Sequence, residues 1–251
     1  MYVHLSHVLD PHGPSFPGSP DLKIEKNQVI GGGGDSNDCI SQLPNHLGTH
    51  MDAPRHFVPD GLTFAELPVE RFNFDGAETL LIDIPAKGTP KSIVTVDDVE
   101  PYREEFDGIR LLLLRTGFER YRTADPQVYQ EQGPCLDPEL CKWLATETKI
   151  DCVGMDWISV AGPWNDLGTE AHRQLLGYYR DNFITAIEDL SLAPVGDSWI
   201  DFITLGGLRI SGVDSSQVCV TAFLNDMDLL IADAVDEAAD EPDEADEAGL
   251  P

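Results

Sequence analysis

Basic side chains are scarce: sixteen Lys and Arg stand against forty-five Asp and Glu in 251 residues, a formal net charge of −29 at pH 7. No basic patch exists to neutralise phosphates, which excludes nucleic acid as the expected partner. Long apolar runs are missing too. LLLL at 111–114 and LLIDI at 80–84 fall far short of the ~20 residues that a bilayer span needs, so no membrane partner is expected. The opening stretch, MYVHLSHVLDPHGPSFPGSP, offers neither a basic leader nor an apolar h-region, and the expected location is cytoplasmic. Cysteine is limited to Cys39, Cys135, Cys141, Cys152 and Cys219. This odd, scattered set without a CxxC pair reads as buried small hydrophobes rather than disulfides or zinc thiolates.

The acid excess has two sources. From Asp233 onward, DAVDEAADEPDEADEAGLP holds nine acidic residues and no basic one, a low-complexity composition expected to stay disordered and solvated. The expected organisation is thus a folded domain over 1–232 and an acidic tail over 233–251. Nine acids account for only part of an excess of 29, so the domain is acidic as well. That pattern fits adaptation to high salt, where a Debye length of roughly 3 Å at 1 M screens self-repulsion. The melting temperature is therefore expected to fall as salt is lowered from molar to millimolar; a salt-independent value would refute the halophilic reading.

The first forty residues, rich in Pro and Gly, predict surface loops around short strands, with QVI at 28–30 as one of them. Buried strands are predicted in ETLLIDIPA (78–86), IRLLLLRTG (109–117), DCVGMDWISV (151–160) and SQVCVTAFL (216–224). Helical patterns lie between or beside them in VTVDDVEPYREEF, DPELCKWLATETK and GTEAHRQLLGYYR. Asp137 is placed to cap the second of these, with Pro138 at its first helical position. Strands alternating with helices, flanked by strand-rich ends, predict a mixed α/β fold.

Residues 45–57, NHLGTHMDAPRHF, gather His46, His50, Asp52 and His56 from a chain with only seven histidines. On a helix His50 would lie about 40° from His46 but Asp52 about 240° away, which splits the set. An extended chain puts 46, 48, 50 and 52 on one face, with Gly48 leaving space between the imidazoles. Pro54 then ends the strand and lets His56 return towards the same space. Two imidazoles and a carboxylate suit Zn²⁺ or Mn²⁺, and three protein ligands with an open position is a catalytic pattern. An accidental cluster of hydrogen-bonded histidines is the competing reading. Asp156 reads as a cap more readily than as a partner of the site. Trp157, Trp164, Phe57 and Phe64 fit either a core or an aromatic pocket.

The string H-x-G-T-H-x-D-x-P-x-H-F from His46 to Phe57 resembles the signature of the cyclase family of metal-dependent hydrolases, which includes bacterial-type kynurenine formamidase and isatin hydrolase. LSH at 5–7, LLLLRTGF at 111–118, GMDWIS at 154–159, HRQLL at 172–176 and IEDL at 187–190 resemble further family segments in the same order. The resemblance implies a swivelling β/β/α domain, usually a homodimer or homotetramer. It implies that His46, His50 and Asp52 hold a metal ion and that His56 is a catalytic histidine beside it. His172 and Glu188 would complete a second position bridged by Asp52, giving one or two Zn²⁺ ions, or Mn²⁺ instead, per subunit. The connection from His172 to Glu188 is longer than in relatives, and Cys219 stands where relatives tend to carry arginine. The implied reaction is hydrolysis of a C–N bond in a small aromatic amide such as N-formylkynurenine, by metal-activated water with His56 as acid and base. A cyclic amide or lactone substrate, a non-catalytic metal protein and a module acting through its acidic tail remain alternatives.

Overall fold

The computed structural model describes residues 1–225; the boundary at 232 and the acidic stretch 233–251 lie outside the described residues. In chain order the first strands are β1 (Tyr2–His4), β2 (Lys23–Gln28), β3 (Asp38–Gln42), β4 (His50–Asp52) and β5 (Asn73–Asp75). There follow β6 (Thr79–Asp83), β7 (Ile93–Val94), β8 (Leu111–Arg115) and β9 (Cys135–Leu136). The last are β10 (Cys152–Met155), β11 (Thr185–Glu188), β12 (Trp199–Gly207) and β13 (Ser215–Asn225). Between them lie α1 (Val96–Val99), α2 (Tyr121–Ala124), α3 (Pro126–Gln132), α4 (Pro138–Glu147) and α5 (Gly168–Leu175).

Nine strands form one sheet in the order β5-β12-β13-β4-β11-β10-β8-β6, with β1 also paired to β13. Strands β6, β8, β10 and β11 run parallel to one another. The rest of the sheet is antiparallel, and β4 sits at the junction, antiparallel to β11 on one side and to β13 on the other. The LLLL run explains the layering. Leu112 and Leu114 enter a core shared with Leu140 and Leu144 of α4 and Ala171 and Leu175 of α5. Leu111 and Leu113 point the other way, into a core built with Ile203 and Leu205 of β12 and Val220 and Ala222 of β13. A strand buried on both faces must be apolar throughout. The result is an antiparallel layer, a parallel layer and a helical layer, the mixed α/β, β/β/α arrangement expected from the sequence.

Several boundaries differ from expectation. The N-terminal strand is not 28–30 but the hairpin β2–β3, and every residue of both strands is exposed. Strand β10 stops at Met155, where Asp156 turns its buried carboxylate onto the loop after the neighbouring strand β8, accepting hydrogen bonds from the Thr116 and Gly117 N–H groups and the Thr116 hydroxyl at 2.6–3.0 Å. The second half of VTVDDVEPYREEF is 3₁₀ over Glu100–Phe106, with a proline at its start. Asp137 caps α4 as expected, accepting from the Glu139 N–H at 2.8 Å. Of the cysteines, Cys135, Cys141 and Cys152 are buried and free, whereas Cys39 and Cys219 are exposed, so the buried-hydrophobe reading holds for three of five. Among the described residues no helix is long and apolar enough to cross a membrane.

Candidate metal centre

Strand β4 is three residues long and wholly buried. Paired on both edges, it holds His50 and Asp52 on one side of the sheet with little freedom. The pairing register brings in two more strands. Glu188 lies opposite His50 across β11, and Ser215 lies opposite Asp52 across β13. His46 belongs not to the strand but to the turn before it, where Gly48 has a φ of 67°. A Cβ on Gly48 would collide with the Leu9 side chain. The expected extended face over 46–52 is therefore corrected: the room at Gly48 is taken by Leu9, and a left-handed turn, not strand alternation, brings His46 to its place. Pro54 starts the 3₁₀ turn Pro54–His56, which swings His56 back. His172 comes from the second turn of α5, where it is buried with Ala171 and Leu175.

All six residues expected at the site are brought together around Asp52. Its Oδ1 lies 3.1 Å from His46 Nδ1 and 3.5 Å from His50 Nε2. Its Oδ2 lies 3.6 Å from His172 Nε2 and 4.0 Å from His56 Nε2. Glu188 stands on the far side, with Oε1 3.4 Å from His172 Nε2 and Oε2 3.3 Å from His50 Nε2. The long connection after His172 is no obstacle, because strand register and not chain length places Glu188. Its Oε1 also accepts from the Ser159 hydroxyl at 2.9 Å and the Val160 N–H at 2.7 Å, so the loop after β10 supports it.

The other nitrogen of each imidazole decides the chemistry. His50 Nδ1–H donates to the Gly48 carbonyl at 2.8 Å and His172 Nδ1–H to the Gly168 carbonyl at 2.7 Å. His46 Nε2–H and His56 Nδ1–H both donate to Asp214 Oδ2 at 2.9 Å. A neutral imidazole has one N–H, and here each is committed to an outward acceptor. The four inward nitrogens are then lone pairs, all aimed at a carboxylate that itself only accepts. His50 Nε2 and both Asp52 oxygens are buried without an aligned hydrogen-bond partner. Such a nest of acceptors calls for cations. Two subsets have donor atoms close enough to share an ion, His46–Asp52–His56 and His50–Asp52–Glu188, with Asp52 common to both. Imidazole and carboxylate are the donor set that divalent Zn²⁺ and Mn²⁺ accept.

Without a metal ion, protons fill the same role. Burial works against a charged His46, yet the Asp214 and Asp52 carboxylates beside it outweigh that and push its pKa from 6.5 up to about 10. His50 and His172 are raised in the same way against burial, mainly by Glu188. Burial opposes ionisation of Glu188, but the His172 and His50 imidazoles beside it hold it well below the carboxylate range. A pKa raised by folding contributes stability that is complete below the unfolded value of 6.5 and lost as pH climbs through about 10. The chelated protein is accordingly expected to melt at progressively lower temperature from pH 6.5 towards 10, and saturating Zn²⁺, which replaces those protons, to flatten the decline. A chelated protein whose melting temperature is level over that window would contradict the proton-filled cluster.

The cluster forms one wall of a cavity of about 420 Å³ whose remaining lining includes Phe16, Phe57, Ile158, Ala161 and Thr169. Phe57 stacks on His172, ring centroids 4.7 Å apart and planes within 12°. Of the other aromatic candidates, Trp157 and Phe64 are core residues, and Trp164 donates its indole N–H to the Gly133 carbonyl. Phe16 was not singled out in the sequence. Neither was Asp214, which lies in GVDSSQV with no histidine nearby to flag it. Thr49 ties β4 to the end of β11, its hydroxyl donating to the Asp189 carbonyl at 2.5 Å and accepting from the His7 N–H. Asp189 adopts a φ of 55°, held there by Tyr129 and Arg122 on its carboxylate.

The sequence model of the family described as "Putative cyclase" matches residues 3–161. A protein of uncharacterised role from Haemophilus influenzae is 44% identical over 106 residues, 42% of this chain and 72% of that one. A kynurenine formamidase of Bacillus anthracis is 26% identical over 217 residues, spanning 86% of this chain and 94% of its own. Among solved structures, isatin hydrolase A from Labrenzia aggregata bound to benzyl benzoate superimposes with a TM-score of 0.72 at 22% identity, covering 88% of this chain and 93% of the other. An isatin hydrolase bound to the product analogue thioisatinate gives 0.74 at 21% identity, covering 89% and 92%. At these identities the structural likeness speaks for the fold.

Proposed function

The chain belongs to the cyclase family, whose model it matches over residues 3–161, and from that membership and the cluster around Asp52 we propose that it is a metal-dependent hydrolase of small, flat amides. The observation that carries the proposal is the convergence of four imidazole nitrogens on a buried carboxylate with no hydrogen-bond partner of its own. His46, His50, Asp52, His172 and Glu188 would hold one or two divalent ions, Zn²⁺ or Mn²⁺. A divalent ion in such a site lowers the pKa of water from about 16 to about 7 and polarises an amide carbonyl.

The chain's own groups supply the rest. His56 Nε2 faces Asp52 from the cavity wall, placed to take the proton of the attacking water and to return it to the departing nitrogen. Water and amide are thereby converted to a carboxylic acid and an amine, or to a ring-opened acid when the amide is cyclic. Phe16, Phe57 and Ile158 provide an apolar wall for a planar substrate body, and Phe57, stacked on His172, also keeps that ligand's ring in place. The named relatives, a kynurenine formamidase and an isatin hydrolase, support N-formylkynurenine or a cyclic aromatic amide as the substrate class.

The test is a panel of N-formylkynurenine, isatin, formanilide, N-methylformamide and a simple lactone, run on protein stripped with chelator and reloaded with Zn²⁺ or Mn²⁺. Turnover of an aromatic amide should vanish on stripping and return on reloading. Burying a phenyl ring at ~25 cal/mol per Å² should favour formanilide over N-methylformamide by at least about tenfold in kcat/KM. Stoichiometric metal uptake with no turnover anywhere in the panel would leave a metal-binding protein and overturn the hydrolase reading.

A further inference from the structure

Asp214 immediately precedes β13 and belongs to none of the segments in which the histidines lie. Its Oδ2 accepts from two rings at once, His46 Nε2–H and His56 Nδ1–H, each at 2.9 Å. Its Oδ1 accepts from the Asn45 side-chain amide at 2.5 Å, which fixes the plane of the carboxylate. The two rings are tilted by only 35°, with centroids 4.2 Å apart, so one oxygen reaches both. They are attached to it through different atoms, the ε nitrogen of one and the δ nitrogen of the other. Their free nitrogens, His46 Nδ1 and His56 Nε2, consequently both face Asp52, at 3.1 and 4.0 Å.

We infer that Asp214 is a positioning residue which sets the tautomers of a metal-ligating and a catalytic histidine together, keeping His46 in the Nε2–H form and His56 in the Nδ1–H form. The inference rests on the hydrolase reading for its effect on turnover, but not for its effect on the rings. For His46 the carboxylate acts as the outer partner of a ligand, orienting the ring and raising its basicity, an arrangement whose loss weakens metal affinity by about 10- to 100-fold. For His56 it keeps Nε2 open to accept a proton; in the other tautomer Nε2 carries hydrogen and cannot act as a base. Asn45 and Ser215 tie the same loop to the turn that carries His46, since the Ser215 hydroxyl donates to the Asn45 carbonyl at 2.8 Å. The site thus has an outer brace made from the chain's far end, opposite the brace that Ser159 and Val160 give Glu188.

The test uses the full chain loaded with Zn²⁺, with the wild type compared with Asp214→Asn and Asp214→Ala. Nitrogen-15 NMR of the imidazoles reads the tautomers directly and needs no substrate. The wild type should show His56 as Nδ1–H and His46 protonated at Nε2, and both variants should show His56 shifted to a tautomer mixture. Zn²⁺ affinity, measured by chelator competition, should fall about 10- to 100-fold. At saturating Zn²⁺ kcat should still be lower by about 10²-fold, with KM changed much less. Asp214 is part-exposed, so its truncation opens no core cavity, and circular dichroism checks that the variants fold. The wild-type spectrum decides even if they do not: His56 carrying its hydrogen on Nε2 would overturn the inference. Variants with unchanged tautomers and kcat would overturn it too, as would loss of bound Zn²⁺ with His56 unchanged, which would make Asp214 a ligand. Should the wild type hydrolyse nothing in the amide panel, the functional reading fails while the spectrum and the Zn²⁺ affinity still judge Asp214.

Discussion

Replacing Asp52 by Asn is expected, on the proposed reading, to cost turnover by more than about 10³-fold and the divalent ion with it, because a cation held there would lose the one carboxylate that all its other donors surround. The carboxylate is within 3.1–4.0 Å of four imidazole nitrogens and is common to both subsets of donors that could share an ion. No other acid in the cluster has that reach, since Glu188 contacts only His50 and His172. An asparagine of the same shape would present an NH₂ where a metal ion or a protonated ring needs an acceptor, and it keeps only half the acceptor capacity. The metal-free protein suffers as well. Burial and Glu188 oppose ionisation of Asp52, and His46, His56 and His50 overcome them to hold its pKa low. Removing that charge leaves buried imidazolium groups under-compensated, at a cost of about 3–5 kcal/mol. Metal content per chain, kcat and denaturant melts of the chelated protein measure the three effects. Retained metal with retained activity would place the ion somewhere other than around Asp52.

The parts of this site that the residues alone make legible are those that the chain makes locally, whereas His172 and Glu188 are legible only through the family resemblance. His46, His50, Asp52 and His56 lie within eleven positions, and β4 with its following turn is stiff enough for that proximity to survive folding. The LLLL run announced a strand covered on both faces. Glu188 needed more: only the antiparallel register of β11 on β4 sets it opposite His50. Asp214 lies 158 positions from His56, in a stretch whose composition is that of an ordinary turn, and becomes part of the site only because β13 lies along the other edge of β4. Gly48 shows the opposite error. A glycine among ligands looks like room for an ion, whereas its backbone conformation and the Leu9 side chain are what require it. Strand β12, WIDFITLGG, gives no clear strand signal because acid and glycine interrupt its apolar alternation, and the β2–β3 hairpin gives none because neither of its faces is buried.

His56→Ala should separate catalysis from metal binding. Its Nε2 is the imidazole nitrogen farthest from Asp52, at 4.0 Å, and the ring is about a quarter exposed, where His50 and His172 are sealed in. It also hangs on a 3₁₀ turn rather than on a strand or helix, a support that would suit the proposed acid–base role. Five donors, His46, His50, Asp52, His172 and Glu188, remain when it is removed. The variant is therefore expected to keep its full complement of metal while kcat falls by about 10²–10⁴-fold, the usual worth of general acid–base assistance. Added imidazole, entering the space beside Phe57, should restore part of the rate. His56 nevertheless belongs to a subset of three residues, with His46 and Asp52, whose donor atoms could share an ion, and the metal count distinguishes the two roles. If one ion per chain disappears together with the activity, His56 is a ligand, and the acid–base work must pass to another group lining the cavity.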